Sequence, residues 1–159
     1  MSGELYRRPI YIFDLDGTLA LIAHRRKYVE GAKKDWPAFY RACVDDEPNW
    51  PVIRCLEALR LTSQVLIFSG RSDEVKRETV LWLAKHTSFM PHELTAGGDL
   101  TMRQAGDYTP DDVLKRQWLH AMYDEDRKRI AAVFDDRDRV VRMWRSEGIP
   151  CFQVAEGEF

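Results

Sequence analysis

The tightest constraint on this chain is a set of short apolar runs that stop abruptly at acidic or hydroxyl-bearing residues. Residues 10–13, 65–68 and 130–134 are each too short for a helix, rich in Ile, Val and Phe, and without strict alternation. Strands buried on both faces of a parallel sheet read this way. Residues 151–154 form a weaker run of the same kind, and 99–103 a further candidate strand. Between the runs lie helical patterns. Asn49-Trp50-Pro51 sets a cap and an early proline ahead of Val52, Cys55, Leu56 and Leu59. Ser72 and Asp73 can cap a helix that buries Val75, Thr79, Trp82 and Leu83. Thr109-Pro110-Asp111-Asp112 combines a Thr cap, a proline at the first helical position and acidic residues in the first turn, and Val113, Leu114, Gln117, Trp118 and Ala121 continue it. Asp138 opens a last helix carrying Val140, Val141 and Trp144, stopped by Gly148 and Pro150. Strand and helix alternate, which predicts an α/β fold, an open parallel sheet with helices on both faces and right-handed crossovers.

One segment breaks the rhythm. Residues 21–50 separate the first strand from its crossover helix by more than an ordinary loop, which predicts a small helical insertion over the C-terminal edge of the sheet. It is basic at 24–27 and at Lys33 and Lys34, and its aromatics Tyr28, Trp36, Phe39, Tyr40 and Trp50 read as packing for a small cap. With 159 residues, no repeat and no linker, residues 1–159 are expected to form one domain with a core of its own. A formal net charge of −2 excludes a uniformly basic nucleic-acid coat, though a local basic groove is compatible with it. Cys43, Cys55 and Cys151 lack metal-ligand spacing and read as free thiols of a reducing compartment. No apolar run is long enough for a membrane span and no signal segment is evident, so a cytoplasmic protein is expected. The four histidines show no metal-ligand spacing.

Ligands of open α/β sheets collect beyond the carboxyl ends of the strands. The first strand here runs into Asp14-Leu15-Asp16-Gly17-Thr18, the second into Ser69-Gly70-Arg71, and the run at 130–134 into Asp135-Asp136-Arg137. Lys115 lies early in the helix after the loop at 106–112. Each group has a task if the ligand is a phosphate ester held with a divalent metal. Clustered carboxylates repel one another, and a hard cation such as Mg²⁺ compensates them. Ser69 and the Gly70 N–H can donate to phosphate oxygens, and Lys115 can neutralise the remaining charge. Asp14 can then attack phosphorus, with Asp16 protonating the leaving group and later activating water.

These four segments, in this order, resemble the motifs of the haloacid-dehalogenase superfamily. The stretches 102–115 and 133–159, with the first motif and Ser69-Gly70-Arg71, are similar to the 3′-phosphatase domain of phage polynucleotide kinase–phosphatases over nearly the whole chain. The resemblance implies an aspartyl-phosphate mechanism with Asp14 as nucleophile and Asp16 as acid–base. It assigns Ser69 and Lys115 to the phosphate, and Asp14, Asp16, Asp135 and Asp136 to Mg²⁺ or its water shell. Thr18, Gly70, Arg71, Arg103 and Arg25 would position the substrate, a phosphorylated nucleic-acid end or a nucleotide. The phosphate-cradling G-x-x-x-x-G-K-[ST] loop of the family's kinase half does not occur, so 5′-kinase activity is not expected.

Each feature also has a bland reading. Asp14 and Asp16 alone would be a turn cap, Lys115 a solvated helix residue, Asp138 a helix opener, and Arg25, Arg26 and Lys27 ordinary surface charge. The rival functions are a phosphatase of small esters or nucleoside monophosphates, and a catalytically idle nucleotide-binding module. Dehalogenation is disfavoured because its leaving halide needs no proton from Asp16. A mutase is disfavoured because the insertion is small for excluding water. A membrane partner is not expected, and a homo-oligomer is left open.

Overall fold

A computed structural model describes residues 8–157. The strands are β1 (Ile10–Phe13), β2 (Ala20–Leu21), β3 (Glu47–Pro48), β4 (Gln64–Ser72), β5 (Leu100–Arg103), β6 (Ile130–Asp135) and β7 (Cys151–Gln153). The α-helices are α1 (Trp36–Arg41), α2 (Trp50–Arg60), α3 (Lys76–His86), α4 (Pro91–Leu94), α5 (Asp111–Ala121), α6 (Asp124–Arg129) and α7 (Asp138–Ser146). Five strands form one sheet in the order β5-β4-β1-β6-β7. Every pairing in it is parallel, so the expected α/β fold is present. Among the described residues no helix is long and apolar enough to cross a membrane.

Successive side chains of a strand point to opposite faces, and β1 shows the consequence. Ile10 and Ile12 join a core layer with Leu119 of α5 and Val140, Val141 and Trp144 of α7. Tyr11 and Phe13 face the other layer, with Val52, Ile53 and Leu56 of α2 and Val80, Trp82 and Leu83 of α3. Both faces of β1 are therefore covered, which is why its sequence is apolar without alternation. The rings of Phe13 and Phe134 stack at 4.3 Å between β1 and β6 and fix their register next to the site. On α2 the buried set is Val52, Ile53 and Leu56, whereas Cys55 is exposed. All three cysteines are free thiols.

Several expected caps are made differently. Asn49 precedes α2 but donates its side-chain amide to the Thr18 carbonyl at 2.9 Å, tying that helix to the turn after β1. Ser72 accepts from the Glu74 N–H and caps a single 3₁₀ turn, Asp73–Val75, ahead of α3. Pro110, not Thr109, stands at the start of α5, and Thr109 gives its carbonyl to Arg103. Asp138 is the first residue of α7, and its carboxylate accepts from Gln153.

The insertion hangs from an antiparallel neck in which Ala20 faces Pro48 and Leu21 faces Glu47. Beyond the neck lie a 3₁₀ segment, Ala23–Tyr28, then α1, then a second 3₁₀ turn, Ala42–Asp45. Its aromatics do not all pack inward. Phe39 is buried, but Trp36 and Trp50 stay 37% and 48% exposed.

Candidate active site

The strand ends converge as the sequence suggested. Beyond Phe13 the backbone N–H of Asp14 donates to the Phe134 carbonyl of β6, which holds the first acid beside the last residues of its neighbour. The chain then turns sharply, the Leu15 carbonyl accepting from Thr18, Leu19 and Ala20. Gly17 sits in this turn at φ +85°, where a Cβ would lie 2.2 Å from an Asp136 carboxylate oxygen. A side chain there is excluded both by backbone strain and by the acid it would displace.

Lys115 is the centre of charge. It is buried on α5, and its Nζ donates to Asp14 Oδ1 at 2.7 Å and to Asp135 Oδ2 at 2.8 Å. Burial alone would lower its pKa, but Asp135 and Asp14 outweigh that and hold it above the usual lysine range, charged. Asp135 is fixed further by the N–H groups of Asp136 and Arg137, both donating to its Oδ1. Asp14, Asp135 and Asp136 each place a carboxylate oxygen within 4.8 Å of the others. Burial raises the Asp14 carboxyl well above its ordinary range, with Asp135 and Asp136 adding to it against Lys115. Burial and Asp135 likewise push Asp136 up to about 6. The Thr18 hydroxyl lies 3.3 Å from both Asp14 and Asp136 and has one proton for two acceptors. Three buried carboxylates against one lysine leave negative charge uncompensated, and an all-oxygen donor set of this kind fits a small hard cation such as Mg²⁺.

Asp16 does not join that cluster. It was expected among the metal ligands, but its carboxylate turns toward two arginines, accepting from Arg25 at 2.7 Å and from Arg71. Burial raises its pKa, yet Arg71 and Arg25 outweigh this and bring it to about 2. Both arginines also reach Asp46. Arg25 donates to it from Nε and from a terminal nitrogen, each at 2.7 Å, and Arg71 donates at 3.0 Å. His24 Nε2 lies 2.8 Å from the same carboxylate. The result is a buried ladder, Asp16–arginine pair–Asp46, that fastens the insertion to the first motif.

This geometry relocates several residues expected at the substrate. Arg25 is fully buried, with its donors on Asp16, Asp46 and the Phe39 carbonyl, so it holds Asp16 rather than a ligand. Arg103 lines the cavity, but its donors go to the carbonyls of Gly70, Asp107 and Thr109 and to Asp111, where it pins the loop before α5. Ser69 is fully buried and its Oγ accepts the Arg71 N–H at 3.2 Å, so its hydroxyl supports the turn. Gly70 and Arg71 do line the cavity. They form a bulge, because Ser69 pairs with Met102 and Ser72 with the adjacent Arg103, leaving Gly70 and Arg71 outside the ladder. A bulge of this kind re-aims a side chain, here Arg71 toward Asp16.

Two residues escaped the sequence reading. Asp46 lies among Asp45 and Glu47, and no local pattern singles it out as the buried one. Asp111 reads as an ordinary first-turn acid, yet it accepts from Arg103 and from Arg137 at 2.7 Å and packs against Gly70. Its signal was the spacing to Lys115, one helical turn on. Asp14, Asp16, Arg71, Asp111, Lys115, Asp135 and Asp136 line a cavity of about 740 Å³ whose other wall is the insertion.

Comparison with known proteins gives the arrangement its context. The family model described as the polynucleotide kinase PNKP phosphatase domain matches residues 8–159. A protein of Autographa californica nuclear polyhedrosis virus, named as a bifunctional polynucleotide kinase/RNA ligase, is 32% identical over 150 residues, 93% of this chain and 19% of that protein. Two solved structures of the Pnkp1/Rnl/Hen1 RNA repair complex contain a chain 31% identical, with TM-scores of 0.73 and 0.75. The match covers 96% of this chain and 44% and 48% of those chains. A haloacid dehalogenase-like hydrolase from Streptococcus pneumoniae, 15% identical over 92% of this chain and 84% of that one, shares the fold at a TM-score of 0.55. The chain thus spans about a fifth of the viral relative and under half of the solved ones.

Proposed function

The chain belongs to the polynucleotide kinase phosphatase-domain family and is a phosphatase, and we propose that it removes a 3′-phosphate from a nucleic-acid end or nucleotide through a phospho-aspartate at Asp14. The observation that carries this reading is the buried Lys115 bridging Asp14 and Asp135 at the floor of a cavity, with Asp136 beside them. The names of both sets of relatives join such a domain to RNA repair or RNA ligation, which supports an end that a ligase seals next. Residues 1–159 act in this reading as one catalytic unit, since the groups involved come from one sheet edge and its insertion.

In the first step an Asp14 carboxylate oxygen bonds to phosphorus, the bond from phosphorus to the 3′ oxygen breaks, and that oxygen takes a proton from Asp16. In the second, water gives a proton to Asp16 and attacks the phospho-aspartate, releasing inorganic phosphate and restoring Asp14. Arg71 and Arg25 keep Asp16 ionised before substrate arrives. An incoming phosphate competes for Arg71, which loosens that hold and raises the proton affinity of Asp16, so that Asp16 takes up a proton from solvent before the first step. Lys115 keeps its charge throughout and neutralises part of the developing phosphoryl charge. Asp14, Asp135 and Asp136 would hold Mg²⁺, which supplies Lewis-acid stabilisation of the phosphoryl oxygens when bound.

The direct test is phosphate release from a 3′-phosphorylated oligonucleotide, from the same strand phosphorylated at its 5′ end, and from a sugar phosphate at equal concentration. The 3′-phosphorylated strand should be hydrolysed fastest. A clear preference for the sugar phosphate would remove the nucleic-acid assignment and leave a phosphatase of small esters.

Asp46 acts in this mechanism as a positioning residue, because it touches the two arginines that aim Asp16. Asp46→Asn keeps the shape and removes the charge. It should lower kcat/KM on a 3′-nucleotide by about 10²–10³-fold, the scale of lost general acid–base catalysis. p-Nitrophenyl phosphate should lose far less, since p-nitrophenolate leaves without a proton. Equal losses on both substrates would show that Asp46 only supports the fold.

A further inference from the structure

Helix α1 is short, but its ring geometry is specific. Asp35 caps it by accepting from the Ala38 N–H at 3.0 Å, and Pro37 stands in its first turn. Phe39 is the anchor, buried, with the Arg25 guanidinium 4.3 Å from its ring centroid. Helix α1 is therefore held to the same arginine that holds Asp16. Trp36 and Tyr40, one turn apart, present their rings with centroids 6.0 Å apart and planes inclined by 29°. Phe39 meets the edge of Trp36 at 5.7 Å and 85°. The indole is thus braced by two rings, yet it remains 37% exposed and faces the cavity that Asp14 and Lys115 floor. A residue whose purpose was packing alone would be covered at lower cost.

The pair also has a direction. Tyr40 lies in the electrostatic field of Arg103, Asp111 and Asp16, at the catalytic end of the cavity. Beside Trp36, Lys34 stands 5.7 Å from the indole centroid, and Arg26 lines the same cavity. The cavity thus brings together the carboxylates, the Trp36–Tyr40 pair and the basic groups Lys34 and Arg26. The volume of about 740 Å³ is suited to a ligand of nucleotide size, whereas a phosphoryl group on a small sugar would leave most of it to water.

We propose that Trp36, braced by Tyr40 and Phe39, is the platform on which the base of the terminal nucleotide stacks, with Lys34 and Arg26 facing the next phosphate of the strand. This rests on the phosphatase reading and narrows it to ends whose last base is unpaired and free to stack. Every base has a π-face, so the platform selects for the presence of a base rather than for its identity.

The test compares Trp36→Ala and Trp36→Phe with the unmodified chain on two oligonucleotides, one ending in a normal 3′-phosphorylated nucleotide and one ending in an abasic 3′-phosphate. Trp36→Ala should raise KM for the base-bearing end by about tenfold or more relative to its effect on the abasic end, with kcat affected much less. Trp36→Phe, which keeps a ring, should recover most of the loss. Equal losses on the two ends, or no loss on either, would overturn the platform. A second arm reads binding without turnover. A nucleoside 3′-monophosphate should quench tryptophan fluorescence in the unmodified chain and much less in Trp36→Phe. Quenching that is unchanged by Trp36→Phe also overturns the platform. Intact Trp36-dependent quenching with no hydrolysis of either strand supports the platform and sinks the phosphatase reading by itself.

Discussion

Asp14→Asn is expected to lower phosphate-monoester turnover by about 10⁴-fold or more, the scale on which a lost nucleophile or its activator registers, while the chain stays folded. Asparagine has the shape of aspartate, and its carbonyl oxygen can still accept the Lys115 ammonium that now donates to Asp14 Oδ1 at 2.7 Å. It cannot form the acyl phosphate. Stability should not suffer, and the reason is electrostatic. Burial and the neighbouring Asp135 and Asp136 raise the Asp14 carboxyl well above its ordinary range, so in metal-free buffer its ionised form is a cost to the fold. Replacing it by a neutral amide relieves that repulsion, and Tm without added cation should be equal or higher. Turnover, a thermal melt and mass spectrometry of acid-quenched chain during turnover would be read together. A phosphorylated species should appear with the unmodified chain and vanish with Asp14→Asn. A folded variant with near-normal turnover would remove Asp14 from the mechanism.

The legibility of this site follows from what local sequence can encode. Asp14 and Asp135 were readable because each directly follows a predicted strand with a strong apolar signature, whereas the role of Lys115 rested mainly on the family resemblance. Residues 10–13 and 130–134 could be little but buried strands, so the acids that end them had to emerge at one edge. The polar run from Ser69 to Ser72 was harder. It reads as a turn, yet β4 continues through it, because Arg103 on β5 pairs with Ser72 across a bulge. Partner choice was not readable at all. The sequence shows Arg25, Arg71 and Arg103 as charges over the site, but which carboxylate each reaches depends on contacts across 21, 25 and 8 residues of chain. Satisfying buried guanidiniums took precedence over ligand contact, since an unpaired buried charge costs far more than an exposed one. Asp46 was hidden for the same reason, as its role exists only once two arginines from different elements meet it.

Removal of divalent cations by a chelator is expected to abolish turnover, and Mg²⁺ is expected to restore it with an apparent affinity that climbs as pH rises through about 6, the value to which Asp136 is pushed. Three buried carboxylates within 4.8 Å of one another face a single ammonium, so protons and a cation compete to neutralise the excess charge. The same competition governs stability. A carboxyl whose folded pKa lies above its ordinary value of 3.8 contributes stability below that value and loses it as pH rises through about 6. Asp14 acts in the same direction. The metal-free chain should therefore lose stability from these groups between about pH 4 and pH 7, and Mg²⁺ should replace the departing protons. The rise in Tm on adding Mg²⁺ should accordingly be large near pH 7.5 and small near pH 5. The other shifted groups of the site do not blur this window. Asp16, drawn to about 2, loses its contribution only at strongly acidic pH, and Lys115, held above its ordinary range, does so only at strongly alkaline pH. Ca²⁺, with a larger and looser oxygen shell, should raise Tm near pH 7.5 while supporting little turnover. The measurement is a thermal-shift series at both pH values with chelator, Mg²⁺ and Ca²⁺, paired with turnover in the same buffers. Full turnover in excess chelator, or an equal Mg²⁺-induced rise in Tm at pH 5 and pH 7.5, would mean that Asp14, Asp135 and Asp136 do not hold a catalytic cation.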